Sequence, residues 1–591
     1  MDEHLNVPHA TGSNVVRSVM TLIVLALAPL WFVGILGRTL WTPDEPREAD
    51  IAWRMSVQSD RTLPELAGTP FLEKPPLSYW MSAVGVRLFG DTPSAARAPN
   101  LLYAPLAALA IGALVLGMRA EMMAAVIAAL VAASALLMFR VSIWLAPDAA
   151  LLAGSALALW GVWRGYAAPP GAQKALGYTL MHAGAALGFM AKSAPGWLVP
   201  ALTLATLIVW ERRWSELRRW ELYVGFPLEA LIIVPWIWAV AESPTGGESL
   251  RALFWHNLMG RFTHIAAPPA LEYTSGHRNS PGKYLLELPV YLLPWTLVVA
   301  AALRLTWTRA RAADASATAW RFGVAASVPF LVLLSVAATA RDIYAAPALF
   351  GFAVLTGLWV AAAEHSPSEL DRLAVRLTAA LVLVIAQLLA FALAILAIAG
   401  AGSRGACLTA ALGALLVAMP AFWVAMQSER HGSLARSLAW SYSGYAAALT
   451  LAALAAFPIV DRWQDLPALA RSIRADCAQK PLALLDPDET TIAMLDHGSR
   501  TPFTILAGGA DAAQSVSEWF SARGDEARIL VLLPGHAIGP LTLLLSRLRP
   551  LPPLSDGIAA RLGAEGVATL LARYELSQGR RYALLGPPPK P

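Results

Sequence analysis

The residues best suited to chemistry lie close together between positions 41 and 89, in a stretch flanked by long apolar segments. Its ionisable residues include Asp44, Glu45, Arg47, Glu48, Asp50 and Arg54, followed by Glu73 and Lys74 directly before Pro75 and Pro76. Only 14% of the chain is charged, and charged groups beside hydrocarbon are costly unless they face water, a partner or a substrate. The cluster therefore indicates a functional site, and the alternative is a solvated loop between two helices.

Two adjacent carboxylates, Asp44 and Glu45, begin a predicted helix over 45–57. Neighbouring helical side chains point in different directions, so one of the two is expected to be the working carboxylate, while Asp44 is also placed to cap the helix. A carboxylate partly desolvated at a membrane surface has its pKa raised and can serve as a general base. For Glu45 and Glu48 we favour a helix cap and solvated charges, although Glu45 and Arg47 stay candidates for substrate contact.

Further ionisable residues stand at the ends of apolar segments. Asp148 opens such a segment after IWLAP, and it is equally explained as a second catalytic carboxylate or as an anion favoured by the helix dipole. Arg341 stands in a short turn that continues to Tyr344, and a plain pair between Arg341 and Asp342 is the alternative to substrate binding. The cations that are expected on the outer face are Lys74, Lys192, Arg261, Arg278 and Arg341. Together they predict an anion at the membrane surface, most simply a lipid phosphate.

The elements that must position these residues are transmembrane helices. The 591 residues are 57% hydrophobic with a mean hydropathy of +0.54, which is too apolar for an ordinary soluble protein. Apolar segments fall at about 18–37, 98–117, 120–139, 149–166, 177–191, 195–210, 221–241, 284–304, 322–340, 343–363, 373–399, 406–426 and 438–458. The predicted fold is a polytopic α-helical membrane protein with about 13 transmembrane helices, the first one retained because it lacks a signal-peptide cleavage site. The segment 77–90 is too short to span and is predicted to be an interfacial helix.

The distribution of arginines orients the predicted bundle. The loop 211–219 carries four arginines and is therefore expected in the cytoplasm. Counting spans from this loop places further cations on the same side, namely Arg304, Arg309, Arg311, Arg372, Arg376, Arg430 and Arg436. The N-terminus is then cytoplasmic. The first outer loop (about 38–97), the 141–148 turn, the 242–283 loop and the C-terminal tail lie outside, together with every candidate residue.

The composition changes at about Asp461, which divides a predicted transmembrane domain (1–460) from a small C-terminal extracytoplasmic α/β domain (461–591). Strands are predicted for PLALLD, TIAML, TPFTIL, ARILVLLPG and RRYALLG, with helices over 511–522 and 557–573. The apolar run 541–547 is too short to span a membrane and is expected in the core of this domain.

Cofactor sites have weak support in the sequence. Glu73 with His277 or His264 would supply oxygen and nitrogen ligands for zinc or magnesium, but no ligand spacing requires such a site. The two cysteines, Cys407 and Cys477, indicate neither a disulfide framework nor a metal site. No Walker sequence or dinucleotide fingerprint occurs in a convincing context, so no nucleotide cofactor is expected. A sugar carried on a lipid phosphate fits a site that faces outward, whereas nucleotide sugars are cytoplasmic.

The motif DEPREADIAWRM followed by GTPFLEKPPLSYW resembles the first extracytoplasmic loop of the bacterial lipid A aminoarabinose transferases and of the wider protein O-mannosyltransferase superfamily. These are integral-membrane glycosyltransferases of the GT-C type that use polyprenyl-phosphate sugars. Weaker similarities follow at 146–148, 191–196, Arg261 and Phe262, His277, and Arg341 to Pro347. The Ser-Lys that precedes the Tyr-Pro segment in the family is here Ala340-Arg341-Asp342. Arginine also binds phosphate, so position 341 can keep a phosphate-binding role despite the change.

The resemblance implies a role for each part of the site. The implied residues are Asp44 as the catalytic carboxylate, Lys74, Arg261, Arg341 and Tyr344 around the lipid phosphate, and Glu73 with His277 as ligands of a divalent metal. The expected function is inverting transfer of an aminoarabinose-like pentose or a hexose from a polyprenyl-phosphate donor to lipid A or another envelope glycolipid, at the periplasmic face of the bacterial inner membrane.

Two alternatives to this function stay open. One is a protein O-glycosyltransferase, which would use the same donor class with a protein acceptor. The other, from a different class, is a lipid-phosphate transporter. Transporters place their polar groups near the bilayer midplane, whereas the charges of this chain lie at span ends. The sequence therefore favours an enzyme that works in the lipid bilayer, and no nucleic-acid partner is expected.

Overall fold

The chain is mostly helical in the computed structural model, which describes residues 11–589 except 119, 260–278, 281, 315, 478 and 536–553. The helices up to residue 250 are α1 (Thr11–Ile35), α2 (Glu45–Val57), α3 (Leu77–Phe89), α4 (Pro93–Arg97), α5 (Asn100–Gly117), α6 (Met122–Ser134), α7 (Leu136–Ile143), α8 (Asp148–Ala167), α9 (Ala172–Lys192), α10 (Pro195–Glu211), α11 (Trp220–Tyr223), α12 (Phe226–Glu242) and α13 (Gly246–Leu250).

A π-helix, Arg251–Met259, comes next in the chain. The later α-helices are α14 (Lys283–Tyr291), α15 (Thr296–Arg309), α16 (Ala317–Ala325), α17 (Val328–Val336), α18 (Leu349–Ala363), α19 (Glu369–Ile398), α20 (Arg404–Arg430), α21 (Leu434–Trp463), α22 (Leu466–Cys477), α23 (Glu489–Asp496), α24 (Ala512–Arg523) and α25 (Gly557–Ala564). Short 3-10 helices are Trp214–Arg218, Asp342–Ala348, Gly509–Asp511 and Gly524–Glu526. The strands are β1 (Glu65–Leu66), β2 (Thr69–Pro70), β3 (Leu482–Leu485), β4 (Thr504–Leu506), β5 (Arg528–Leu533), β6 (Thr569–Glu575) and β7 (Arg581–Gly586).

Helices coincide with the apolar segments of the sequence. Within the described ranges, seven helical spans are long and apolar enough to cross a membrane, and two bent pairs raise that number to as many as nine. The bent pairs are α6 with α7, at 64°, and α14 with α15, at 116°. The remaining apolar segments carry α1, α8, α9 and α10. The prediction of a polytopic helical membrane protein is therefore confirmed, while the exact number of spans stays a prediction.

Close packing of α8 against α9 brings two charged residues together. A Cβ added to Gly154 of α8 would lie 2.5 Å from the backbone nitrogen of Gly188 of α9, so the two backbones touch there. Small residues commonly allow such an approach between helices in membranes. The two helices are joined by a short turn and run antiparallel, so the start of α8 lies beside the end of α9. This arrangement places Asp148 next to Lys192.

The first outer loop folds as two helices and a hairpin. Helix α2 covers the predicted range 45–57, and Ile51, Ala52 and Met55 form part of its buried face. Strands β1 and β2 pair antiparallel, and α3 occupies the segment predicted as an interfacial helix. Helix α2 also packs against α3 and against α23 of the C-terminal domain. The loop is therefore an ordered part of the fold, and the alternative of a solvated connection is wrong.

The C-terminal domain contains a five-stranded mixed sheet in the order β4-β3-β5-β7-β6. Strands β4, β3 and β5 are parallel, whereas β7 pairs antiparallel with both β5 and β6. The predicted α/β architecture and the strands β3, β4, β5 and β7 are confirmed. The domain boundary between 460 and 461 stays a prediction.

Two predicted elements of this domain are wrong. The segment TIAML is part of helix α23, because the side chain of Asp488 accepts a hydrogen bond of 2.9 Å from the backbone nitrogen of Thr491 and so caps a helix start. Periodicity alone does not separate a strand from a helix in so short an apolar run. The predicted helix 557–573 ends early, since Gly566 takes a φ of +68° and β6 follows it. The run 541–547 lies outside the described residues.

The end of α21 and the residue that follows it contact the first outer loop. Oδ1 of Asp461 accepts hydrogen bonds from the backbone nitrogen of Thr39 at 3.1 Å, from its hydroxyl at 2.6 Å and from the indole nitrogen of Trp41 at 2.8 Å. Oε1 of Gln464 accepts from the backbone nitrogen and the hydroxyl of Thr42, each at 3.0 Å. These bonds fix the chain just before α2, where the charged cluster begins.

Candidate active site

The charged residues converge on one small cavity. It is lined by Asp44, Arg47, Glu48, Glu73, Lys74, Ala146, Asp148, Lys192, Arg341, Ile343 and Tyr344. These residues come from three distant parts of the chain: the first outer loop, the adjoining ends of α8 and α9, and the turn before α18. The fold thus brings together most of the site residues that were predicted from the sequence.

Asp44 is held as an anion between two arginines. Its Oδ2 accepts a hydrogen bond of 3.1 Å from Nη2 of Arg341, and its Oδ1 accepts one of 3.2 Å from Nη2 of Arg47. Burial alone would raise the pKa of Asp44, but the charges of Arg47, Arg341 and Lys74 outweigh burial and hold the pKa below its ordinary value. The predicted rise in pKa is therefore wrong. The side chain turns to the arginines and does not cap α2.

Glu45 has a structural role in the described fold, and the prediction that it contacts substrate stays a prediction. Its side chain is fully buried, and each carboxylate oxygen accepts three hydrogen bonds. The donors are the guanidinium groups of Arg38 and Arg97 and the backbone nitrogens of Trp41 and Leu145. Burial would raise the pKa of Glu45, but the two arginines outweigh it and lower the pKa to about 2. Both carboxylate oxygens of Glu45 are therefore fully used by the protein. Through these bonds Glu45 connects the segments that follow α1 and α7 with the end of α4.

Lys74 is a buried cation between two carboxylates. Its Nζ lies 3.4 Å from Oε1 of Glu48 and 3.3 Å from Oε2 of Glu73. Burial would lower the pKa of Lys74, but these two carboxylates raise it above its ordinary value. The lysine therefore stays charged at the cavity wall. Glu48, which was expected to be solvated, is only 2% exposed, so that expectation is wrong as well.

Asp148 and Lys192 form a buried ion pair in the same cavity. Asp148 is the first residue of α8 and Lys192 the last of α9, so the pair follows from the antiparallel packing of the two helices. Nζ of Lys192 also lies 4.9 Å from the ring centroid of Tyr344, which is a cation–π distance. The helix dipole and this ion pair each favour a carboxylate at position 148. A catalytic role for Asp148 stays a prediction.

Arg341 faces the cavity and its partner is Asp44. Asp342 pairs instead with Arg140, so the alternative in which Arg341 and Asp342 neutralise each other is wrong. Burial would lower the pKa of Arg341, but the charge of Asp44 outweighs burial and raises it. The arginine is therefore a permanent cation beside the carboxylate.

The residues predicted in the 242–283 loop, namely Arg261, His264, His277 and Arg278, lie outside the described residues. In the part of the chain that the structure describes, no group of three or more His, Cys, Asp or Glu is arranged to hold a metal ion. Glu73 lies beside Lys74, and its Oε2 is 3.9 Å from Nη2 of Arg47. The described residues therefore do not form a metal site by themselves, and a metal held by Glu73 with His277 stays a prediction.

A largely apolar cavity adjoins the charged one. The residues common to both are Glu73, Lys74, Lys192 and Tyr344. The apolar walls are Leu151, Ala194, Pro195, Leu198, Phe330, Leu333, Leu334 and Ala337, contributed mainly by α8, α10 and α17. A cavity that is apolar along its walls and has lysines among the charged residues at one end fits an amphiphile with a charged head group.

Known proteins are similar to this chain in sequence. Residues 73–238 match the family model described as dolichyl-phosphate-mannose-protein mannosyltransferase. The undecaprenyl phosphate-alpha-4-amino-4-deoxy-L-arabinose arabinosyl transferase of Pseudomonas aeruginosa (strain LESB58) is 28% identical over 297 residues, which are 50% of this chain and 52% of that protein. The protein of the same name from Edwardsiella ictaluri is 28% identical over 346 residues, 58% of this chain and 59% of that one. The chain thus spans about half the length of the curated relatives it matches.

A solved structure shows the same fold over nearly the whole chain. The crystal structure of ArnT from Cupriavidus metallidurans bound to undecaprenyl phosphate superposes with a TM-score of 0.70 at 20% sequence identity, covering 96% of this chain and 98% of that one. The chain therefore has the fold of that structure. The likeness in fold includes the C-terminal domain, which the family-model match over 73–238 does not reach.

Several residues of the site had escaped sequence reasoning. Arg38 and Arg97 enclose Glu45, and Glu489 of the C-terminal domain pairs with Arg47. Arg38 directly follows the first apolar segment, on the side that is predicted to be outside. The positive-inside rule does not favour an arginine there, and this was the available signal for Arg38. Glu489 and Arg47 are 442 positions apart, and no spacing rule within one sequence links residues so distant.

Proposed function

We propose that the protein transfers a sugar from a polyprenyl-phosphate donor to lipid A or another envelope glycolipid. The observation that carries this proposal is the contiguity of the apolar cavity with the charged one. The hydrocarbon of the donor would lie along the apolar walls, with its phosphate beside Lys74, Lys192 and Arg341. By name, the matched relatives are arabinosyl transferases of undecaprenyl phosphate-aminoarabinose, which supports the same donor class.

The proposed reaction is a single displacement at the anomeric carbon. An oxygen of the acceptor forms a bond to that carbon while the bond to the donor phosphate oxygen breaks, and the electron pair stays on the phosphate. The charge that develops there is stabilised by Lys74, Lys192 and Arg341, which their carboxylate partners already hold in place. Attack from the face opposite the leaving group inverts the anomeric configuration and releases polyprenyl phosphate.

Asp44 is better suited to positioning than to deprotonating a hydroxyl. Its carboxylate is held by two guanidinium groups, and its pKa is lowered, so it is a weak base at neutral pH. A phosphate oxygen, as on lipid A, is already anionic and needs no base. The state of Asp44 therefore favours a phosphorylated glycolipid as acceptor over the hydroxyl of a protein, which is the second candidate.

We place the protein in the bacterial inner membrane with about 13 spans and the site on the periplasmic face. Lys192 lies just before α10 and the arginine-rich 211–219 segment lies at its end, so the site and those arginines are at opposite ends of one helix. Loops rich in arginine remain in the cytoplasm. The same rule then puts the N-terminus in the cytoplasm and the C-terminal domain in the periplasm.

Reconstitution tests the proposal directly. The purified protein is placed in proteoliposomes with a polyprenyl-phosphate sugar, either aminoarabinose or a hexose, and with lipid A as acceptor. Mass spectrometry should show lipid A gaining the mass of one sugar. A parallel reaction with a peptide rich in serine and threonine tests the second candidate. Movement of the donor between leaflets with no sugar transfer to any acceptor would establish a transporter and overturn the proposal.

A further inference from the structure

The first turn of α23, in the C-terminal domain, lies against the segment that carries Asp44. Oε2 of Glu489 forms an ion pair with Nη1 of Arg47. The hydroxyl of Thr490 donates a hydrogen bond of 3.2 Å to the carbonyl oxygen of Pro43. The two contacts flank Asp44 in the sequence, one on each side.

Arg47 connects Glu489 to Asp44. Nη1 of its guanidinium faces Glu489, while Nη2 donates to Oδ1 of Asp44 at 3.2 Å and to Oε1 of Glu48 at 2.9 Å. A planar guanidinium with carboxylates at both of its ends has a fixed orientation, because any rotation breaks at least one charge-assisted bond. The orientation of Arg47, and through it that of the Asp44 carboxylate, therefore depends on a residue of the C-terminal domain.

Glu489 is itself held by rigid surroundings. It is the first residue of α23, whose start is capped by Asp488. The guanidinium of Arg580, next to β7, pairs with Asp488 and donates a hydrogen bond of 2.9 Å to the hydroxyl of Thr491. The central sheet of the domain thus supports the turn that presents Glu489 to Arg47.

The far end of α23 makes a second, separate contact with α2. Nε of Arg54 donates a hydrogen bond of 2.9 Å to Oδ2 of Asp496. This pair also joins the same two helices through an arginine and a carboxylate, but neither Arg54 nor Asp496 lines the charged cavity as described. It therefore provides a matched comparison for Glu489.

We propose that Glu489 is a positioning residue for the transfer reaction, acting through Arg47 on Asp44. The inference rests on the proposed function, because it assigns part of that site to the C-terminal domain. Glu489 is not among the described residues that line either cavity. Its loss should therefore disturb the geometry of the reacting groups more than the binding of the lipid donor.

The test compares three variants of the full chain in proteoliposomes, with a polyprenyl-phosphate sugar as donor and lipid A as acceptor. Glu489→Gln should lower kcat by roughly 10-fold with the donor KM changed by less than about 2-fold, since small misplacements of reacting groups cost rate rather than ground-state affinity. Glu489→Asp keeps the charge and should recover most of that kcat. Asp496→Asn, which breaks the other contact of α23, should keep kcat within about 2-fold of the wild type.

Two outcomes would overturn the inference. One is a wild-type kcat for Glu489→Gln. The other is an equal loss in Glu489→Gln and Asp496→Asn, which would show that docking of the domain matters and the orientation of Arg47 does not. Melting temperatures of all variants show whether a loss of kcat is caused by unfolding. If Glu489→Gln is unfolded, the kcat of Glu489→Asp relative to the wild type tests the inference. Failure of the proposed function is distinguishable, because the wild-type protein would then transfer no sugar at all.

Discussion

Arg341 and Asp44 are 297 positions apart in the chain and form an ion pair in which Nη2 and Oδ2 are 3.1 Å apart. Arg341 stands before α18 and Asp44 directly before α2, so the pair joins two distant segments of the chain at the cavity. A phosphate that binds Arg341 must share that cation with Asp44. The pair therefore couples the cation that would bind the donor to the carboxylate that would orient the acceptor.

Asp44→Asn keeps the size of the side chain and removes its charge. We expect a folded, membrane-inserted protein whose turnover falls by roughly 100-fold or more, which is the scale for loss of a preorganised group in a site of this kind. Turnover with a polyprenyl-phosphate sugar and the melting temperature are measured together. The matched control is Asp60→Asn, since Asp60 is an exposed carboxylate of the same loop that bonds only locally to Thr62. Turnover at the wild-type rate by Asp44→Asn would remove Asp44 from the chemistry.

Lys74→Gln should weaken donor binding more than it slows turnover. Lys74 lies at the junction of the charged and apolar cavities, and loss of a ground-state contact to phosphate raises the apparent donor KM, here by about 10-fold. Arg341→Gln should change both KM and kcat because Arg341 also holds Asp44. Lys74→Arg keeps the charge and controls for lost packing. An unchanged donor KM in Lys74→Gln would contradict the assignment of the phosphate to this end of the cavity.

Glu45→Gln should lower the free energy of unfolding and should not act directly on the transfer step. Breaking one partner of a buried ion pair costs roughly 3–5 kcal/mol because the remaining charge is left uncompensated. The pKa of Glu45 is about 2 in the folded protein, below its ordinary value. The carboxylate therefore contributes stability above pH 4.5 or so, and that contribution is lost as the pH falls toward 2. Melting temperatures from pH 7 downward should show this loss in the wild type and a weaker dependence in Glu45→Gln. Equal melting temperatures at pH 7 would show that the arginine enclosure does not stabilise the fold.

Removal of a bound metal tests the predicted pair of Glu73 and His277. If a divalent ion offsets charge on the donor phosphate, a strong chelator should abolish transfer and re-addition of zinc or magnesium should restore it. Affinity for the ion should fall in mild acid, because His277 must be neutral to bind it. Full activity after exhaustive chelation, with no metal detected by elemental analysis, would show that lysine and arginine alone bind the phosphate.

The sequence by itself determined the membrane helices, the first outer loop and the identity of the charged groups. Apolar segments long enough to span a bilayer must form helices there, because hydrocarbon offers no partner for an unpaired backbone group. The outer loop was predictable from its own residues. Its range 45–57 carries a helical pattern, and its charges are too many for a segment next to hydrocarbon without a function.

Only the tertiary structure decided what each charge does. Glu45 and Asp44 are neighbours in the sequence, yet Glu45 is saturated by Arg38 and Arg97, while Asp44 faces the cavity beside Arg341. The difference depends on which distant cation reaches each carboxylate, and Coulomb interactions depend on distance in space, whereas periodicity and spacing report only neighbours along the chain. The same limit applies to the pKa of Asp44, because burial and nearby cations act in opposite directions and only their geometry shows that the cations prevail.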